Sequence, residues 1–270
     1  YGLLSAVLMV LLMFSSLPAM AEKYWLFIAD TEVTDANCNN LKDIKGVTVA
    51  PGGEFKYTPA SKTLTMKDVT VSVSIDRNAI WNEGVEGLKI VLSGTNRLEA
   101  KAVAVYCEAA VELKGNGSLT IASASDKAAV LIDGTTLTIS DITLEATGEW
   151  GIAGNEGDKE TLTLKNATVN AKGTVAAIAD FKTVTLEGCR IIAPAGVEWK
   201  AENKAVVDAQ GNRAKEVKIE PAAAVKYELY IADTQVTSDN CNNLKDITGV
   251  TVASDGEFKY DPAERMLTMK

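Results

Sequence analysis

The residues best suited to chemistry recur on one track. Ile80, Val105, Val130, Ile152 and Ile178 each open a short apolar-alternating piece, at intervals of 25, 25, 22 and 26 residues. The next residues are Trp81, Tyr106, Leu131, Ala153 and Ala179, and two places on come Glu83, Glu108, Asp133, Asn155 and Phe181. If turns of the chain stack about 4.8 Å apart, an aromatic patch lies beside a ladder of carboxylates. Such a surface suits a sugar, since ring faces accept C–H groups while carboxylates accept hydroxyls. Stacked carboxylates repel and need a cation or hydrogen-bond donors between them. Trp150, just before Ile152, would extend the platform, so the candidate binding residues are Trp81, Glu83, Tyr106, Glu108, Asp133, Trp150 and Asn155. A competing reading has Trp81 and Tyr106 plugging the wider end of a column, with the acids as rim charge. Period alone does not separate inside from outside near a corner.

Other chemistries are thinned out by composition. The 270 residues include no histidine, which removes Ser-His-Asp and Cys-His sites and every imidazole-bearing zinc site. Lys plus Arg number 27 against 36 Asp plus Glu, for a net charge of −9, so neither nucleic acid nor anionic lipid is an expected partner. Asp35-x-Asn37-x-Asn39 has the look of a calcium loop, but the EF-hand's Gly and Glu positions hold Asn40 and Gly46. Asx-turn chemistry explains it better, and neither a metal nor a cofactor is expected. Glu83 and Glu108 on adjacent turns would stand about 5 Å apart, as in a retaining glycosidase. A polysaccharide lyase or glycoside hydrolase is therefore the catalytic alternative to a binding module, and no catalytic residue is assigned.

The elements that must hold this track repeat at two scales. Tyr24–Lys67 aligns with Tyr227–Lys270 at a constant offset of 203, with 32 of 44 positions identical, including NCNNLKDI and GEFKY. Within the first unit, LTMKDVTV (64–71), LTISDITL (137–144), LTLKNATV (162–169) and VTLEGCRI (184–191) align, with looser copies starting at Ile90 and Val111. Their fifth positions are Asp68, Gly94, Gly115, Asp141, Asn166 and Gly188, the residue types that tolerate a left-handed backbone at a corner. Their outward positions are mostly Thr, Ser and Lys, a solvated β face without an acidic cluster. Three short strands per 21–26 residues, with no helical period, predict a solenoid of about six turns. Its exposed ends need caps. Tyr24–Tyr57 fits a β cap at one end, and the strand pattern at 216–219 suits the other.

Residues 3–18 are apolar, too short to span a bilayer, and followed by Ala19-Met20-Ala21 and Glu22-Lys23. That pattern predicts a signal peptide over 1–21, cleaved so that nothing stays inserted in the membrane, and an exported protein. The expected divisions are then a cap at 22–60, a β-helix at 61–219, a linker at 220–226, and a truncated second cap at 227–270. Export permits disulfides, but the first unit holds three cysteines, none in a CxxC context. Buried free thiols are expected.

The L-T-(I/L/M)-x-(D/N/G) turns resemble the right-handed parallel β-helix of the pectin-lyase-like superfamily. The Y-x-L-x-I-A-D-T-x-V-T opening and GEFKY-x-P-A leading into L-T-M-K are similar to repeats in secreted bacterial surface proteins described as hypothetical or carbohydrate-binding-domain proteins. The resemblance implies an all-β fold. It leaves activity open, since the superfamily includes lyases, hydrolases, adhesins and binding modules. The expectation is a secreted, non-catalytic surface module for adhesion, present in tandem copies and recognising a polysaccharide or glycoconjugate. A purely structural spacer is the third alternative.

Overall fold

A computed structural model describes residues 21–238 and 240–270; the expected signal segment lies almost wholly outside them. The chain is all-β, with three single-turn 3-10 helices among the described residues. Among the described residues no helix is long and apolar enough to cross a membrane.

Aliphatics at every second position make each short segment a strand with one buried side. These strands stack in parallel register on three faces. The first face is built from the opening half of Thr63–Val73, then Leu88–Ser93, Val111–Gly115, Thr136–Ser140, Thr161–Lys165 and Thr183–Glu187. Past a corner, the second face runs from 70–73 through Thr95–Ala100, Ser118–Ser123 and the openings of Thr143–Gly154 and Thr168–Ala179. The third holds Ile80–Asn82, Val105–Cys107, Val130–Ile132 and the ends of those same two long strands.

The inner surface is one continuous aliphatic ladder. On the first face Leu64, Ile90, Leu113, Ile139 and Leu164 are in mutual register, each buried. The sequence alignment is two residues out at one step: Val111 pairs with Leu88, not with Ile90. A two-residue slip leaves every side chain on its own face, and so is invisible to periodicity. The corners are as expected. Asp68, Gly94, Gly115, Asp141, Asn166 and Gly188 all have positive φ, between 45° and 132°. Two buried asparagines lock corners from inside. Asn96 accepts from Val69 N at 3.1 Å and donates to Ser93 O at 3.0 Å, while Asn82 accepts from Val85 N at 2.9 Å.

Every edge at the start of the column is covered by a strand of opposite direction. Val47–Thr58 pairs antiparallel with the whole of Thr63–Val73, burying Phe55 and Tyr57. Lys23–Ile28 pairs antiparallel with Ile80–Asn82 on the third face. The Asn-rich loop is an Asx structure: Asn37 Oδ1 accepts from Thr34 N at 2.8 Å and its Nδ2 donates to Glu32 O at 2.9 Å. At the far end Glu216–Pro221 inserts antiparallel between the Thr168–Ala179 and Cys189–Ala193 strands. This reversed strand stops parallel growth on the second face, so the column completes about five turns rather than six.

Glu216–Pro221 also takes in the first two residues assigned to the linker, which is shorter than expected. Beyond it the first copy's cap elements recur: Lys226–Ile231, Thr234–Thr237 and Leu244–Asp246 match Lys23–Ile28, Thr31–Thr34 and Leu41–Asp43. The four cysteines are free, three of them buried and Cys189 half-buried.

Candidate functional site

The third face brings the candidate track together. In strand register Trp81 lies beside Tyr106, Tyr106 beside Leu131, and Leu131 beside Ala153, all on the outward side of the sheet. Trp81 and Tyr106 therefore stand outside the column and do not plug it: the inward places are taken by Ile80, Val105 and Val130. Glu83, Glu108, Asp133 and Asn155 also follow in register, the last three hydrogen-bonding from N–H to the carbonyls of Asn82, Cys107 and Ile132 at 2.8–2.9 Å. Phe181 does not join them. Asp180 takes a left-handed φ of 58°, which turns the chain, and Phe181 is fully buried in the core.

Two of the acids, Glu108 and Asp133, take donors from the rings. Trp81 Nε1 donates to Glu108 Oε1 at 3.3 Å, and Tyr106 Oη donates to Asp133 Oδ2 at 3.0 Å. Each ring tip thus reaches the carboxylate one turn on, supplying donors that a carboxylate ladder requires. Among the described residues no Lys or Arg forms an ion pair with Glu83, Glu108 or Asp133. Burial first, then the hydrogen bonds to Asp133 and Glu108, hold the Tyr106 hydroxyl well above its ordinary titration range. An ionised carboxylate offers about four acceptor sites, so each can take a further donor.

Sequence reasoning missed Phe27, which the cap strand places opposite Trp81. The signal was in the repeat: the equivalent place in the second copy is also aromatic, Tyr230. Phe27 changes the meaning of the patch. Its ring stacks on Trp81 with centroids 4.8 Å apart at 23°, and Trp81 stacks on Tyr106 at 6.4 Å and 17°. The rings pile along the column axis, so each covers its neighbour's face. The expectation of an open platform of ring faces is corrected accordingly: the middle ring, Trp81, has an aromatic neighbour on either side.

Two recesses open along this face. One, of about 370 Å³, is lined by Phe27, Asp30, Arg77, Asn78 and Trp81, with Arg77 Nε 3.1 Å from Asp30 Oδ2. The other, of about 220 Å³, lies beyond Tyr106 and is walled by Leu131, Ala153, Trp150, Asn155, Lys127 and Asp180 among others. Trp150 does not continue the ring stack. It packs instead on a bed of small residues, Ala176, Ala179, Ala205 and Val207, and turns remaining surface to the recess. The hairpin that supplies Ala205 and Val207 explains why Ala179, outward by register, is buried.

The first face is different in kind. Its outward side is a polar trough of about 460 Å³ lined by Thr138, Thr163, Ser140, Lys165 and their charged neighbours, with Lys114 and Glu112 paired at 3.1 Å. Compared with known proteins, the chain matches no family model, no curated protein and no solved structure.

Proposed function

We propose that this protein is an exported, non-catalytic β-solenoid module that binds a glycan on its third face. The observation supporting this reading is the coexistence there of aromatic rings, carboxylate oxygens with spare acceptor capacity and two small recesses, on a rigid sheet. Because the rings shield one another, the sugar is taken at the recesses flanking the stack rather than across its middle. Rigid strands position the contacts before binding, which lowers the ordering cost of association. The test is a glycan array probed with the full chain and with a Trp150→Ala, Arg77→Ala double variant. Binding by the parent and its loss in the variant support the reading. Release of new reducing ends or unsaturated products from polysaccharides, abolished by Glu83→Gln with Glu108→Gln, would replace it with the enzymatic alternative.

The ring stack favours a second reading. A column whose large aromatics cover one another suits a spacer, with repeated units giving reach and valency. Absence of any glycan binding by the parent chain selects it.

A further inference from the structure

We propose that the recess beside Trp150 selects an N-acylated sugar, holding the acyl group rather than the pyranose ring. This deepens the glycan reading and rests on it. At about 220 Å³ the recess is smaller than the roughly 300–1,000 Å³ of pockets that enclose a drug-sized ligand, so it takes a pendant group or one small unit. Its wall is apolar where Leu131, Ala153 and the Trp150 ring meet. A hydroxyl pressed there would lose its water without gaining a partner, whereas a methyl group gains from burial.

The polar groups complement an amide. The Trp150 Nε1–H is buried and has no acceptor among the described residues. No hydrogen bond among them anchors the indole by that atom, and turning it to meet a ligand carbonyl breaks none of theirs. Asp180, the recess carboxylate nearest the closing hairpin, is already held by Arg213 through bonds of 2.8 and 3.3 Å. Asn155 stands exposed at the rim, with a side-chain amide that can both donate to a carbonyl and accept from an N–H. The apolar wall thus suits the methyl of an acetamido group and Asn155 its carbonyl or N–H, with the Trp150 indole N–H reached once the ring turns.

The experiment titrates the full chain with three trisaccharides of the same β-1,4 backbone: fully N-acetylated glucosamine, free glucosamine and glucose. Calorimetry gives affinity, and the indole N–H resonance of Trp150 reports on the recess. The N-acetylated trimer is expected to bind at least tenfold more tightly than the glucose trimer and to shift that resonance. Asn155→Ala and Trp150→Phe, which keeps an aromatic ring but removes the donor, should each erase most of the preference. Equal affinity for acetylated and plain trimers overturns the acyl assignment while leaving glycan binding intact. Preference unchanged in both variants also overturns it. Failure of every trimer to bind overturns this proposal together with the glycan reading.

Discussion

The carboxylate of Asp68 fills the space that a side chain on Gly94 would need: a Cβ built at Gly94 overlaps Asp68 Oδ1, which accepts from Thr95 N at 2.9 Å. Asn166 and Gly188 stand in the same relation four turns on. At these two steps the Asp or Asn side chain occupies the room that a Cβ on the next corner would need, whereas Asp141 is followed by Asn166. Gly94→Ala should destabilise the column by about 1–3 kcal/mol, combining left-handed strain with this overlap. Asp68→Ala in the same chain should return part of that loss, and a double-mutant cycle in urea measures it.

Tyr106 makes the fold sensitive to alkali. Its hydroxyl titrates higher in the folded chain than in the unfolded, so its contribution is complete below the unfolded value, about 10, and is lost as pH rises beyond it. Tyr106→Phe removes the hydroxyl and its bond to Asp133, and is expected to cost about 0.5–1.5 kcal/mol at neutral pH. Melting curves from pH 8 to 11 should fall less steeply for the variant than for the parent.

Glu160 does the reverse in acid. Burial works to raise its carboxyl, but backbone N–H donors outweigh this and hold it below the usual range. Its side chain accepts from Gly134 N, Asp158 N and Lys159 N at 2.9–3.1 Å. With the folded value depressed, this stability is present above the unfolded value, about 4.3, and drains away as pH falls further. Glu160→Gln should lower stability by about 1–3 kcal/mol at pH 7 and flatten the melting profile between pH 5 and 3.

The thiols should label in a set order. Burial pushes Cys107 up to about 12, and its side chain is fully enclosed on the inner side of the third face. Cys189 is half-buried, with its sulfur 3.2 Å from Ala167 N. Mass spectrometry after native alkylation should find Cys189 modified first, and Cys107 only once the column unfolds.

Much of this architecture could be read from residue types. Asp, Asn and Gly announced the corners because few residues tolerate a left-handed backbone, whereas the side taken by Trp81 and Tyr106 stayed open, because period alone does not separate inside from outside near a corner. Four features were hidden for identifiable reasons. The slip pairing Leu88 with Val111 preserves parity, so Leu88, Ile90 and Leu92 align equally well in either register. Phe27 arrives from the cap, outside the period that defines the track. Phe181 keeps the spacing but follows Asp180, whose local backbone carries it inside. The stacking direction of the rings depends on rotamers, which periodicity does not encode.

The reversed strand Glu216–Pro221 interrupts the ladder of the second face. It parts the last rung, Cys189–Ala193, from Thr168–Ala179, which runs the same way, so each pairs with it through the antiparallel pattern and not with the other. The final turn is thereby fastened to the column through a strand of contrary polarity and not through its own kind.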